Sequence, residues 1–144
     1  MLNVKELIPH RPPMLLVDEI LEYSAENKTL TAKKTVRKDE YFLQGHYPNH
    51  PIVPGVIICE AIFQAGAALM SALFKDQINE GLPLVVRISN AKFKQMVHPG
   101  DVLELKADLK EQVKSAFYLR GQASVNGKTS ATVDFTVMLG AKPQ

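Results

Sequence analysis

The sequence has almost no cysteine and no targeting pattern at its N-terminus. Its 144 residues include a single cysteine, Cys59, so no disulfide can form within the chain. Residues 1–6 lack the basic-then-apolar order of a secretory signal peptide. Both features favour a reducing compartment, and we expect a cytoplasmic protein.

The chain also has little excess of either positive or negative charge. The formal net charge is +2, and no run of Lys or Arg is longer than two residues. This balance does not favour nucleic-acid binding. The chain has no glycine-rich phosphate loop, no internal repeat and no low-complexity segment, so we expect no nucleotide cofactor. At this length the sequence predicts one domain covering residues 1–144.

Candidate metal ligands are few and poorly arranged. His46, His50 and Glu60 lie close together in the sequence, but a stable metal site needs three or four converging ligands. Cys59 adjoins them, yet it falls on a different helical face from Gln64. We therefore predict neither a metal ion nor another cofactor.

One long apolar run extends from Gly55 to Met70. It has almost no polar face, which predicts a helix that is buried on all sides. The wider stretch 52–74 is long enough to span a membrane, but Glu60 and Gln64 lie near its middle, where a carboxylate is costly. We therefore predict a core helix and no membrane span.

The rest of the chain shows the alternation of half-buried strands. Residues 14–23 and 28–37 predict two strands around a turn at residues 26–27, and residues 126–127 (Asn-Gly) are typical of a type I′ hairpin turn. Residues 81–83 are predicted to end the helical region. Later strands are predicted from the apolar residues Leu103, Leu105, Ala107, Leu109, Phe117, Leu119, Gly121, Ala123, Val125, Ala131, Val133, Phe135, Val137 and Leu139. About six antiparallel strands curved around one helix would leave an open edge, where a second protomer can pair.

Residues suited to acid–base chemistry precede and enter the helix. His46 suits a general base, since imidazole titrates near neutral pH. Pro54 suits the first helical turn, and Gly55 would offer its N–H to an oxyanion at the positive end of the helix dipole. Glu60 is either a proton donor or a structural carboxylate capped by Gln64 or by a partner chain. Together, base, acid and oxyanion donor suit chemistry next to a carbonyl.

These residues resemble the signature of the FabZ-type β-hydroxyacyl-acyl-carrier-protein dehydratases, which have the hot-dog fold. The resemblance is carried by residues 45–48 (Gly-His-Tyr-Pro), 51–56, 60–61 and 64–65, and by the flanking stretches 7–18 and 91–101. It implies an α+β hot-dog domain, in which a curved antiparallel sheet wraps around one long central helix.

The same resemblance implies a reaction and a set of site residues. The reaction is dehydration of (3R)-3-hydroxyacyl-acyl-carrier-protein to the trans-2-enoyl product in fatty acid biosynthesis, without a cofactor. By resemblance His46 and Glu60 are catalytic, and Gly55 and Val56 bind substrate, Gly55 through its N–H on the thioester oxygen. The site would combine His46 of one protomer with Glu60 of the other, in a homodimer or a trimer of dimers. Sister dehydratases that also isomerise the double bond carry aspartate at the matched carboxylate position, so Glu60 favours simple dehydration.

Departures from the family pattern leave other functions open. His50 adds a second imidazole near His46, and Met96 and His98 stand where the family more often has a proline and an aliphatic residue. A specialised paralogue that dehydrates polyene- or polyketide-type acyl chains is one alternative. A hot-dog acyl thioesterase and a non-catalytic acyl-binding module are two more, because fold alone does not establish function.

Several other side chains have plain structural interpretations. His10 and Arg11 are predicted to make loop hydrogen bonds, and His98 to lie in a surface turn. The larger apolar residues are core or acyl-tunnel candidates: Phe63, Met70, Phe74, Phe93 and Met96. One group of cations either steers an acidic carrier protein or forms a solvated strand face: Lys33, Lys34, Arg37, Lys38, Lys92 and Lys94.

Overall fold

The structure, a computed structural model, describes residues 2–79 and 81–140. The ends of the predicted 1–144 domain therefore lie outside the described residues. The elements in chain order are α1 (Val4–Leu7), β1 (Glu19–Ser24), β2 (Thr29–Thr35), a 3-10 turn (Tyr41–Leu43), α2 (Gly55–Leu73), α3 (Lys75–Asn79), β3 (Leu82–Phe93), β4 (Val102–Val113), β5 (Ala116–Val125) and β6 (Lys128–Gly140).

The strands form one sheet in the order β1-β2-β4-β5-β6-β3, and every neighbouring pair is antiparallel. Helix α2 packs against the strands of this sheet, with most contacts to β4, β2 and β5. The predicted α+β hot-dog fold is confirmed. Because α2 fills the curve of the sheet, the apolar run that is long enough for a membrane span is the core helix of the fold.

The alternation predicted for β4, β5 and β6 decides which side chains meet α2. On β4, Leu103, Leu105, Ala107 and Leu109 are buried while the residues between them point away. The closest approach lies at Gly121 of β5, where an added Cβ would collide with the Cγ2 of Ile62. The β5–β6 turn is also as predicted, since Asn126 and Gly127 both have positive φ, at 51° and 80°.

The first predicted strand is wrong over residues 14–18. Strand β1 starts at Glu19, and two backbone groups before it bond to a side chain of α2: the Leu16 N–H donates to Gln64 Oε1, and the Met14 carbonyl accepts from Gln64 Nε2. The second strand is also shorter than predicted. It ends at Thr35, and the Val36 N–H then donates to the Asp101 carbonyl.

The prediction that the long helix is buried on all sides is also wrong for a single chain. Val56 is 75% exposed, and Ile57, Glu60, Phe63 and Ala67 are only partly buried. Spacings of three and four residues put Val56, Glu60, Phe63 and Ala67 on one face of α2. One chain therefore covers most of its central helix and leaves this face partly open.

Strand β3 forms one edge of the sheet and contains two register shifts against β6, between Val85 and Arg87 and between Ser89 and Lys92. Each shift inserts one residue and so reverses which side chains face inward afterwards. The second shift includes Asn90, whose φ is +52°, and it turns Phe93 toward the start of α2. This edge also exposes five large apolar side chains: Leu84, Val85, Val86, Ile88 and Phe93.

Candidate active site

Glu60 lies on α2, one helical turn before Gln64. Gln64 Nε2 donates to Glu60 Oε2 at 2.8 Å and to the Met14 carbonyl at 2.9 Å, and Gln64 Oε1 accepts from the Leu16 N–H at 2.8 Å. These partners settle the orientation of the buried amide, because the Leu16 N–H needs its oxygen and the Met14 carbonyl needs its NH₂ group. Gln64 thus holds both the carboxylate and the segment before β1.

The cap by Gln64 does not make Glu60 a purely structural carboxylate. Its side chain remains 28% exposed, on the open face of α2, and Oε1 accepts no hydrogen bond from any described residue. A carboxylate held at one oxygen and open at the other can meet a ligand without rearrangement. The structural cap is thus observed at Oε2, and the role of Glu60 as proton donor stays a prediction.

His46 lies in the loop between the 3-10 turn and α2 and is partly buried. Its Nδ1 is 3.1 Å from the Ile52 carbonyl oxygen, which can only accept a hydrogen bond. This contact assigns the ring proton to Nδ1, and the lone pair is then on Nε2. The loop thus presents the imidazole in the tautomer that a general base needs.

Gly55 and Val56 begin α2 directly after Pro54. The Pro54 carbonyl accepts from the N–H groups of Ile57 and Ile58, at 3.0 and 3.2 Å. The N–H groups of Gly55 and Val56 belong to the first helical turn, which offers them no acceptor. Such groups at the positive end of a helix suit an oxyanion.

A pocket of about 450 Å³ adjoins the start of α2 and is lined by Ile52, Val53, Gly55, Ile58, Phe93, Lys94, Gln95 and Met96. Phe93 is so near that a Cβ on Gly55 would lie 2.8 Å from its ring. Phe93 and Met96 are exposed, so of the two interpretations made for them, core or acyl tunnel, the core one is wrong for the single chain. They border the pocket instead.

Within the described part of one chain, no hydrogen bond or ion pair joins His46 to Glu60. His46 is near Ile52 and Tyr47, whereas Glu60 is near Gln64 and His10. The structure therefore orients each of the two predicted catalytic side chains separately. The roles of His46, Glu60, Gly55 and Val56 stay predictions.

A family model described as a FabA-like domain matches residues 8–134. This chain belongs to the FabA-like family. A curated relative, the 3-hydroxyacyl-[acyl-carrier-protein] dehydratase FabZ of Anaeromyxobacter dehalogenans, is 40% identical over 95% of this chain and 88% of its own length. The FabZ of Chlamydia pneumoniae is 48% identical over 72% of this chain and 67% of its own length. The resemblance to FabZ-type dehydratases is thereby confirmed.

Solved structures with a similar fold include a dehydratase complex and a thioesterase-like protein. The dehydratase heterocomplex ApeI:P from Xenorhabdus doucetiae matches with a TM-score of 0.82 and 21% identity, over 99% of this chain and 93% of that one. A thioesterase-like protein related to phenylacetic acid degradation, from Ralstonia eutropha, matches with a TM-score of 0.68 and 21% identity, over 83% of each chain. At such identities the likeness shows the shared fold alone.

The second imidazole in the loop of this FabA-like chain, His50, lies beside His98, with ring centroids 6.2 Å apart. Both are exposed, and His98 Nδ1 is 3.8 Å from Asp101 Oδ2. In the described ranges, no three His, Cys, Asp or Glu side chains come together as a metal site. The neighbouring Cys59 is buried, and burial raises the pKa of its thiol.

The group of cations considered for carrier binding is divided by the fold. Lys34 is 4% exposed and forms an ion pair with Glu40 at 2.6 Å, so it is not available on the surface. Arg37 pairs with Asp39 and with the same Glu40, and Lys33 pairs with Glu19. Lys92 and Lys94 remain exposed on the strand β3 side of the molecule, near the pocket that Lys94 lines.

His10 has a contact that the sequence pattern did not predict. Arg11 makes the predicted loop hydrogen bonds, but the His10 ring lies 3.9 Å from Glu60 Oε2. Fifty residues separate His10 from Glu60 in the chain, so no helical or strand periodicity connects them. The two side chains meet only because the segment before β1 folds back against α2.

Proposed function

We propose that this enzyme dehydrates (3R)-3-hydroxyacyl-acyl-carrier-protein to trans-2-enoyl-acyl-carrier-protein in fatty acid biosynthesis. One observation carries the proposal: 40% identity to a FabZ dehydratase over 95% of this chain and 88% of the relative. The arrangement around His46, Gly55 and Glu60 supports it, because dehydration next to a thioester needs a base, an oxyanion donor and an acid.

His46 is the proposed base. With its Nδ1–H donated to the Ile52 carbonyl, Nε2 can remove the proton from C2 of the substrate. The electron pair of that C–H bond then moves toward the thioester carbonyl, and negative charge develops on the carbonyl oxygen. The Gly55 N–H, at the start of α2, stabilises this charge; one such donor is worth about 3–4 kcal/mol in comparable sites.

Glu60 is the proposed acid. In its protonated form it gives a proton to the C3 hydroxyl, the C3–O bond breaks, and water leaves as the double bond forms between C2 and C3. The cycle ends with a protonated His46 and an ionised Glu60, and transfer of one proton through water restores both. The mechanism uses two side chains and one backbone N–H.

The same proposal includes a homodimer, arranged further as a trimer of dimers. Edge strand β3 has unpaired backbone groups and five exposed apolar side chains, which a second copy of the strand can cover in antiparallel fashion. A partner would also cover the open face of α2 and supply the His46 that Glu60 lacks within one chain. The proposed substrate carrier is acyl-carrier protein, with exposed Lys92 and Lys94 as candidate contacts, and the proposed location is the cytoplasm.

The decisive experiment supplies the purified protein with 3-hydroxyacyl- and trans-2-enoyl-acyl-carrier-protein in separate reactions. Interconversion of the two, with the carrier still attached, is the expected result. Release of free carrier thiol is monitored in parallel, since a thioesterase would produce it and an acyl-binding module would produce neither change. Hydrolysis outpacing any change at C2–C3 would replace the proposal with the thioesterase function. Turnover confined to polyene- or polyketide-type chains would replace the fatty acid pathway with the specialised one.

A further inference from the structure

Side-chain hydrogen bonds hold the segment between α1 and β1 on both sides of His10. On one side the Arg11 guanidinium donates to the carbonyl groups of Lys5, Ile8 and His10, at 2.9, 3.0 and 2.7 Å. On the other side Gln64 bonds to Met14 and Leu16. Four of these bonds reach the irregular segment itself, and the bond to Lys5 ties it to α1. Their common effect is to hold the backbone of His10 against α2.

The His10 ring itself has an unusual environment. Its Nε2 lies 3.9 Å from Glu60 Oε2, while its Nδ1 is buried and has no hydrogen-bond partner among the described residues. A proton on Nδ1 would be a buried donor without an acceptor, which is rare in folded proteins. A proton on Nε2 instead lies on the side of the ring nearest a carboxylate oxygen, a group that can only accept. The ring is thus held in the tautomer that faces Glu60.

The two donors near Glu60 approach the same atom. Gln64 Nε2 and the His10 Nε2 both approach Oε2, while Oε1 accepts no hydrogen bond from a described residue. A carboxylate with both donors on one oxygen has a fixed orientation and leaves the other oxygen for a ligand. The His10 contact is about 1 Å too long for a hydrogen bond, as catalytic contacts often are before substrate binds.

We propose that His10 is a positioning residue, which donates its Nε2–H to Glu60 Oε2 and so directs Oε1 toward the substrate hydroxyl. The inference rests on the proposed role of Glu60 as the acid. It assigns His10 no contact with the reacting atoms. Its loss should therefore slow the chemical step and leave substrate binding intact.

The first test compares His10→Ala, His10→Gln and a matched control. His98→Ala removes another imidazole that lies 3.8 Å from a carboxylate, but away from Glu60. For His10→Ala we expect kcat to fall about tenfold, the effect of one hydrogen bond to the negative charge that develops on Glu60 as it gives up its proton, with KM changed less than about twofold. His10→Gln should recover most of kcat, because its amide N–H can reach the same oxygen. His98→Ala should match the wild type.

The second test does not depend on turnover. The ring ¹⁵N–¹H signals of His10 are followed by NMR in the wild type and in Glu60→Gln, with the His98 signals as internal control. We expect the His10 signals to move and those of His98 to stay. Unmoved His10 signals, wild-type kcat in His10→Ala, or equal losses in His10→Ala and His10→Gln would each overturn the inference. If Glu60→Gln keeps the full dehydration rate, Glu60 is not the acid and the proposed function is wrong at that residue. The kcat of His10→Ala is measured independently, so the two failures can be told apart.

Discussion

The two sides of helix α2 differ in how completely one chain covers them. Toward β2, β4 and β5 the packing is closed: Ile62, Ala65 and Leu69 are fully buried, and Gly121 lets the helix approach the sheet closely. Toward Val56, Glu60 and Phe63 the helix is partly open, and edge strand β3 also exposes large apolar side chains. The closed side supplies most of the core packing of the helix, whereas the open side contains Glu60, the proposed acid.

This difference fits the proposal that two chains complete one site. A carboxylate enclosed on the closed side would have to be fully desolvated, which costs several kcal/mol for an ion. On the open side, Glu60 keeps one oxygen free and relies on Gln64 for the other. In the proposed dimer, the second copy would complete the enclosure and bring His46 as the base.

The largest expected effect tests whether the open side is completed by a partner. His46→Ala and Glu60→Ala should each lose about 10²- to 10⁴-fold in dehydration rate, the usual contribution of a positioned acid or base. After subunit exchange between the two inactive variants, about a quarter of wild-type activity should return, because half of the dimers are hybrids with one intact site of two.

The control for this exchange is the double variant His46→Ala/Glu60→Ala mixed with His46→Ala. Every chain in that mixture lacks the base, so no activity should return. Verified hybrids of the two single variants that remain inactive would mean that His46 and Glu60 act within one chain.

A second prediction addresses the edge of the sheet. Ile88→Asp places a charge on an exposed apolar position of β3, where a paired partner strand would bury it. We expect a smaller particle by light scattering, and loss of activity with it, while far-UV circular dichroism keeps its strand and helix signal. The control is Lys128→Asp at the start of β6, which should keep the wild-type size. An Ile88→Asp protein of unchanged mass would place the interface elsewhere.

On the closed side of α2, creating a cavity should lower the free energy of unfolding. Ile62→Ala removes a fully buried side chain that packs on Gly121, and we expect a loss of about 2–5 kcal/mol in the free energy of unfolding. Chemical denaturation followed by circular dichroism measures it. Val56→Ala on the open side of the same helix is the matched variant, and its smaller effect on an isolated protomer would sharpen the contrast. Equal losses at both positions would show that the two sides do not differ as described.

The smallest expected effect concerns a carboxyl on the outer face of the sheet. Hydrogen bonds from Arg120 and then Asn90 lower the pKa of Asp134 from its ordinary value. Because the folded-state pKa is the lower one, this stabilisation is present above the unfolded pKa and is lost as the pH falls through the folded one. Asp134→Asn should lower Tm slightly at neutral pH, and the difference from wild type should vanish in strong acid. Asp76→Asn, an exposed carboxyl on α3, should show no such convergence.

Local patterns predicted the elements well where each side chain faces either the core or solvent. The alternation on β4 and the Asn126–Gly127 turn depend on neighbours in sequence, and both are found as predicted. The prediction failed where the hydrogen-bond partner of a residue lies far away along the chain. Residues 14–18 looked like a strand, but the Met14 carbonyl and the Leu16 N–H bond to Gln64, which lies about fifty positions away along the chain.

Charged and edge residues show the same limit. Lys34 looked like a surface cation, yet Glu40 pairs with it in a nearly dry environment. Phe93 looked like a core residue, but the register shift at Asn90 turns it toward Gly55 and the pocket. Neither a buried ion pair nor an inserted residue has a period that a sequence pattern could reveal.

By itself, the sequence determined the long apolar helix, the inward and outward faces of the later strands and the FabZ-like order of His46, Gly55 and Glu60. Side-chain periodicity and turn chemistry act over a few residues, so they can be read without knowing the fold. Only the tertiary structure decided that Gln64 holds Glu60 at one oxygen, that His10 lies beside it and that one face of α2 remains open. Those features depend on contacts between residues far apart in the chain, which form only when the sheet has curved around the helix.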